Sequence, residues 1–223
     1  MILAGMTTGM KPQFATACVL AGGRGRRMEG RDKLALSLGG ERLLARIARQ
    51  LRLHFSDILA ISSRPEAFDG LQYRVVPDTL GLGGPLAGLH AGLKAARSEW
   101  IYLVACDMPF FSLPWVETLE ARIIGTQKSP SPVAVAAKAG TFFEPFHALY
   151  HTSFATDIEK ALTKPQSPET QEPRRITIQT LARSRGVDLV DGIDTITAFL
   201  PLFMNLNTPS DIARAEEALK KPY

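Results

Sequence analysis

The chain is short of cysteine, short of aromatic residues and without any long apolar run. Only two cysteines occur in 223 residues, Cys18 and Cys106. Each lies in an apolar stretch with no partner at metal-ligand spacing, which excludes a disulfide framework and a zinc-type cysteine site. They read as buried thiols of a protein from a reducing compartment. No stretch approaches the roughly 20 consecutive apolar residues of a bilayer-spanning helix, so a membrane protein is not expected. Residues 1–13 lack the charged start and continuous apolar centre of a secretory signal. They are expected to form a flexible leader, with Met6 or Met10 as alternative starts, and the expected location is cytoplasmic. Aromatic residues make up 8% of the chain, and neither a stacking platform nor a basic helix with spaced base-reading side chains is present. The net charge of +4 therefore does not argue for a nucleic-acid partner.

What is present is an ordinary globular composition, 45% hydrophobic and 22% charged, with length enough to bury one full core. One domain over residues 14–223 is expected, and a monomer. Short apolar runs alternate with amphipathic stretches. Strands are predicted at Phe14–Leu20, Ile58–Ser62, Tyr73–Val76 and Trp100–Ala105, and helices at Leu43–Phe55, Leu86–Ala96 and Leu113–Ile124. This alternation predicts an α/β fold with a mostly parallel sheet and right-handed crossovers. Further on, Val133–Ala137 and Phe143–Tyr150 read as two strands joined by a short turn, giving a mixed or antiparallel C-terminal edge. Lys164–Arg175 reads as an exposed loop. A last helix opens at Thr208-Pro209-Ser210-Asp211, where threonine caps, proline takes the first turn and an acid follows three residues on. Ile212, Ala215 and Leu219 give that helix one apolar face.

The most informative segment follows the first strand: Leu20-Ala21-Gly22-Gly23-Arg24-Gly25-Arg26-Arg27-Met28-Glu29-Gly30-Arg31-Asp32-Lys33. Bare amides, backbone freedom and several cations in one loop suit a phosphate chain. A kinase-type P-loop matches Gly25 and Gly30 in spacing, but Arg31-Asp32 stands where its lysine and magnesium-binding hydroxyl belong. A dinucleotide fingerprint fits poorly because no helix opens after Gly23-x-Gly25, although a nicotinamide-phosphate oxidoreductase stays open as an alternative. Its acidic ribose ligand is replaced by Ser62-Ser63-Arg64, an arginine that would suit a 2′-phosphate. Asp107, just past the strand ending at Ala105, reads equally as a metal ligand and as a turn-capping aspartate.

The pattern L-A-G-G-x-G-x-R-M followed by D-K resembles nucleotidyltransferases, and within them the molybdenum cofactor guanylyltransferases. Similar positions follow in order: Pro77-Asp78, Gly84-Pro85-Leu86-Ala87-Gly88, Cys106-Asp107-Met108-Pro109, Pro145 to Tyr150, and Asn205-Leu206-Asn207-Thr208-Pro209. Glu29 replaces the first of the family's paired glycines, and Ile61 stands where the family often has asparagine. Any side-chain contact to the base from that strand would then come from Ser62 or Ser63.

The resemblance implies a three-layer Rossmann-like fold and transfer of GMP from GTP to molybdenum-loaded molybdopterin. It implies nucleotide contacts from Leu20, Ala21, Gly22 and Gly23, with Asp78 near the guanine. Arg27 and Lys33 would hold the triphosphate, and Asp107 would bind Mg²⁺. Asn205 and Asn207 would lie near the acceptor, although Asn207 equally reads as the approach to the Thr208 cap. His147 reads as a strand residue, facing the acceptor or packed in place. Recipients of the product would be molybdoenzymes or cofactor-delivery proteins. A cytidylyl- or sugar-phosphate nucleotidyltransferase and a non-catalytic cofactor carrier are the alternatives.

Overall fold

The computed structural model describes residues 11–21, 32–126, 131–163, 176–191 and 201–220. The stretch from 22 to 31, which includes Gly22, Gly23 and Arg27, lies outside the described residues, as does the 164–175 segment.

The elements in chain order are β1 (Phe14–Leu20), β2 (Ser37–Leu38), β3 (Glu41–Arg42), α1 (Leu43–Leu51), β4 (Asp57–Ile61), β5 (Arg74–Val76), α2 (Gly84–Ala95) and β6 (Trp100–Ala105). They continue with α3 (Leu113–Ile124), β7 (Ala134–Ala139), β8 (Phe142–Phe143), β9 (Ala148–His151), α4 (Phe154–Thr163), α5 (Ile178–Arg185), β10 (Val187–Val190) and α6 (Pro209–Leu219). The main sheet runs β10-β7-β9-β6-β1-β4-β5, with β8 paired to β7. All pairings along that path are parallel except those of β9, which is antiparallel to both its neighbours, β6 and β7. Strand order reverses at β1: β4 and β5 lie on one side, and β6 on the other. This is the topological switch point, where open α/β sheets bind ligands beyond the carboxyl ends of the strands.

The period-2 pattern of the strands divides the core into two layers. Ala17 and Val19 of β1 join Ile58 and Ala60 of β4 against Leu44, Ile47 and Leu51 of α1 and Trp115, Val116 and Leu119 of α3. Cys18, Leu20, Leu59 and Ile61 face the opposite way, against Leu86, Leu89 and Leu93 of α2 and Phe154 and Ile158 of α4. Helix α2 lies tightly on the sheet because its contact residues are small. A Cβ on Gly92 would meet Cys18 Sγ at 2.5 Å, and one on Gly88 would meet Leu20 Cδ2 at 3.1 Å. Helix α6 closes a smaller cluster, where Ala215, Ile212 and Leu219 meet Leu36, Leu38, Leu43, Phe110 and Leu206.

Several expectations change. Phe143–Tyr150 is not one strand: β8 ends at Phe143 and β9 starts at Ala148. Pro145 has no amide to donate to a ladder, and His147 is the one described non-glycine residue at positive φ, 50°. The break shifts the register against β7, from Lys138 opposite Phe143 to Val135 opposite Leu149, and β9 runs between β7 and β6, so the antiparallel strand is internal to the sheet and not at its edge. The first helix stops at Leu51 instead of Phe55. Helices α4 and α5 and strand β10 carry no counterpart in the sequence reading. Lys11 to Gln13, assigned above to the leader, are tied to the domain: Lys11 Nζ donates to Ala96 O, and the carbonyls of Pro12 and Gln13 accept from Glu99 and Trp100.

Candidate active site

Strands β1 and β6 end side by side at the switch point. Cys106 N donates to Leu20 O at 3.1 Å, and Ala21 N donates to Ile61 O at 3.1 Å. The main chain of Leu20 and Ala21 is thus held by both neighbouring strands, with both residues buried. Beyond β6 the chain turns sharply, Met108 N donating to Ala105 O, and Asp107 is left at the rim. The turn is braced from two directions: Arg46 Nε of α1 donates to Pro109 O at 3.3 Å, and Leu206 N donates to Asp107 O at 2.9 Å.

Lys33 reaches the same point from a separate segment. It opens a 3-10 turn over Lys33–Ala35, capped by Asp32, whose Oδ1 accepts from Leu34 N at 3.1 Å. Asp32 is in turn held by the fork of Arg64, at 2.8 and 2.6 Å. That pairing is the main cause holding the Asp32 carboxyl below the ordinary carboxylate range. Arg64, considered above for a 2′-phosphate, thus pairs with the residue that starts the lysine's turn. Lys33 Nζ donates to Asp107 Oδ2 at 2.7 Å and to Asn207 Oδ1 at 2.8 Å. Both charged side chains of the pair are largely shielded, 23% and 15% exposed, so the interaction is stronger than that of a surface ion pair. Asp107 Oδ1 accepts no hydrogen bond among the described residues.

Asn207 serves two purposes at once. Its amide donates to Asp211 Oδ2, within the capping box that Thr208 and Asp211 form at the start of α6, while its side chain meets Lys33. Asn205 does not join the cluster. It is exposed and lines an open recess of about 520 Å³ with Pro201, Phe203, Met204, Asp211 and Arg214. Asp78 stands apart at the end of β5, where its carboxylate ties a loop together by accepting from Leu80 N at 3.0 Å and Gly83 N at 2.9 Å. Gly81, Gly83 and Gly84 all have positive φ there, delivering the chain into the start of α2.

His147 is packed in place. It is fully buried, its Nδ1 lies 2.7 Å from Tyr102 Oη, and its Nε2 has no hydrogen-bond partner among the described residues. Burial pushes its pKa down to about 3, so the ring is neutral and offers no general acid. Cys18 and Cys106 are buried thiols, each pushed up to about 12 chiefly by desolvation, and neither is a nucleophile at neutral pH. The sequence reading missed the Asp32–Arg64 clasp. Its only trace in the sequence is the adjacency of Asp32 to Lys33.

Comparison with known proteins agrees with this geometry. The family profile described as MobA-like NTP transferase domain matches residues 17–182. A protein of Syntrophotalea carbinolica named molybdenum cofactor guanylyltransferase is 35% identical over 150 residues, covering 67% of this chain and 69% of the relative. One of the same name from Rhizobium meliloti is 32% identical over 217 residues, covering 94% and 93%. The crystal structure of molybdopterin-guanine dinucleotide biosynthesis protein A from Archaeoglobus fulgidus aligns with a TM-score of 0.73 at 25% identity, over 93% of this chain and 100% of that one. With a strand-order reversal at β1, a lysine–aspartate–asparagine cluster at its rim and a profile match over most of its length, the chain belongs to the MobA-like NTP transferase domain family and is a nucleotidyltransferase.

Proposed function

We propose that the chain transfers GMP from GTP to the terminal phosphate of molybdenum-loaded molybdopterin, forming the molybdopterin guanine dinucleotide cofactor and pyrophosphate. The observation that carries this reading is the convergence of Lys33, Asp107 and Asn207, drawn from three distant parts of the sequence, at the switch point of the sheet. The acceptor phosphate oxygen is ionised at neutral pH and needs no general base, in keeping with the absence of a titrating histidine or thiol among the described residues of the cluster. It attacks the α-phosphorus of GTP, the bond from that phosphorus to the β-phosphate oxygen breaks, and pyrophosphate leaves. Catalysis rests on in-line positioning and on neutralising charge.

In this reading Lys33 exchanges Asp107 for the triphosphate oxygens, as a compact cation can, and Arg27 adds a planar fork. The backbone from Leu20 to Gly23 shapes the phosphate end, and the loop tied by Asp78 shapes the guanine end. Asn207, with Asn205 beside the neighbouring recess, serves the acceptor. Asp107 suits Mg²⁺: it is a shielded carboxylate with one oxygen uncommitted among the described residues and the other already holding a cation, the lysine ammonium. A single carboxylate with phosphate oxygens and water is a common Mg²⁺ donor set. When bound, the ion would offset charge on the phosphates.

The test is pyrophosphate release by the full chain supplied with Mg²⁺, GTP and molybdenum-loaded molybdopterin. Release is expected only when both substrates are present, and CTP or ATP should not replace GTP. No release with the complete mixture overturns the proposal, and a preference for CTP makes the enzyme a cytidylyltransferase.

A further inference from the structure

Glu144 is a carboxylate without a use in the chemistry above, and its surroundings are costly for a charge. It is half-buried in the break between β8 and β9, and burial pushes its carboxyl above the ordinary range, whereas the carboxyls of Asp32, Glu41 and Asp211 are pushed down by hydrogen-bonding partners. Oε1 accepts from Phe146 N at 3.0 Å. No lysine, arginine or histidine among the described residues pairs with it. The nearby Tyr150 hydroxyl donates to Pro145 O instead, at 2.8 Å. A shielded carboxylate satisfied by one amide has acceptor capacity left for a ligand that brings donors.

Sheet topology says which end of the ligand that is. Glu144 N donates to Ala137 O near the carboxyl end of β7, and β7 runs parallel to β6 through the antiparallel β9. Ala137 O points to the same side of β7 as Val133 O, which accepts from His151 of β9, so Glu144 lies on the β9 side of β7, toward the same rim as Asp107. Strand β9 pairs with β6 only as far as Leu103, whereas β6 runs on to Ala105, so the rim steps down between Asp107 and Glu144. Asp78 lies on the other side, at the end of β5, beyond β1 and β4. A ligand laid along the rim with its reacting phosphates at Asp107 would place one ring system toward Asp78 and the other toward Glu144.

We propose that Glu144 is a specificity residue for the acceptor, receiving the ring N–H and 2-amino donors of the pterin. This rests on the reading of molybdopterin as acceptor. The pterin pyrimidine edge presents two adjacent donors, which a carboxylate matches with two oxygens, and a half-buried carboxylate left unmatched disfavours a ring that lacks them.

The test is Glu144→Gln, which keeps the shape and an acceptor for Phe146 N but replaces one oxygen with a donor. Two readouts are used: GMP transfer kinetics with GTP and molybdenum-loaded molybdopterin, and fluorescence titration of the full chain with pterin-6-carboxylate and with the matching lumazine, which lacks the 2-amino group. The wild-type chain is expected to prefer the pterin over the lumazine at least about tenfold. The variant should lose that preference and show a similar rise in KM for molybdopterin, with KM for GTP and kcat at saturating acceptor unchanged. An unchanged KM for molybdopterin together with a retained pterin preference overturns the assignment, as does a rise confined to KM for GTP, which would make Glu144 a reader of guanine. Failure of the proposed function is a separate outcome, recognised because the wild-type chain itself would release no pyrophosphate. The Tm of the variant is expected to match wild type; if it falls, Glu144→Asp takes its place, where loss of the pterin preference at wild-type Tm supports the assignment, and a preference and KM for molybdopterin both unchanged from wild type overturn it.

Discussion

The two sides of the rim around Asp107 are built differently. On the β1-β4-β5 side, β1 leads to β4 through α1 and β4 to β5 through a short 3-10 turn over Pro65–Phe68, and helix α2 comes down on the sheet through Gly88 and Gly92. The rim there is made of main chain and loops, ordered by local contacts such as those of Asp78 with Leu80 and Gly83. On the β9-β7-β10 side, an antiparallel strand is inserted after a kink at His147, and buried polar groups hold the break: Trp115 Nε1 donates to His147 O at 2.8 Å and Tyr102 pairs with its ring. The first side achieves close backbone approach by leaving out side chains, while the second positions particular side chains by burying polar groups. Substitutions on the first side should act through packing, and those on the second through hydrogen bonding and protonation.

The largest effect should come from the residue both sides share. Asp107→Ala is expected to lower Mg²⁺-dependent GMP transfer by about 10²-fold or more while the circular dichroism spectrum stays that of the wild type; near-normal pyrophosphate release would remove Asp107 from the metal site. On the β9 side, His147 resists protonation down to about pH 3 when folded, whereas in the unfolded chain it takes a proton near 6.5. Between those values the unfolded state binds more protons, so stability present above pH 6.5 is lost as pH falls, at up to about 1.4 kcal/mol per pH unit from this group. His147→Asn, which tolerates positive φ, should flatten that slope in urea titrations between pH 6 and pH 4; an unchanged slope would place the acid sensitivity elsewhere.

On the α2 side, Gly92→Ala should cost about 1–3 kcal/mol by overpacking against Cys18, with Cys18→Ala partly restoring the urea midpoint. A neutral Gly92→Ala would mean that α2 can move off the sheet freely. The smallest effect is expected at Arg64. Its pair with Asp32 is solvent-exposed, so Arg64→Met should change stability by less than about 1 kcal/mol and raise KM for GTP only slightly. A large rise would show that Lys33 depends on the clasp far more than its exposure suggests.

How much could be read beforehand follows the same division. Strands β1, β4, β5, β6 and β7 and helices α2, α3 and α6 were legible because each buries a face set by local periodicity, and the helices announce their starts with a cap or proline, as Thr208-Pro209 does. Helices α4 and α5 and strand β10 were not, because only Thr152 and Ser153 separate α4 from β9, and α5, which leads into β10, adjoins a polar stretch. The break at Glu144 to His147 was hidden as well, since Phe143 to Tyr150 has the apolar content of a strand and a lone proline does not say where the chain will cross.

From the sequence alone came the α/β architecture, the family resemblance and Lys33, Asp107 and Asn207 as separate candidates, because local pattern and motif order are properties of the chain itself. Whether those three meet was decided only in three dimensions. Positions 33, 107 and 207 are joined by the ends of β6, the Asp32-capped turn and the α6 capping box, and such contacts depend on sheet order, which no local pattern encodes. The same holds for Glu144. Its type is visible in the sequence, but its burial, its lack of a cation among the described residues and its place on the rim opposite Asp78 follow from β9 running against the rest of the sheet.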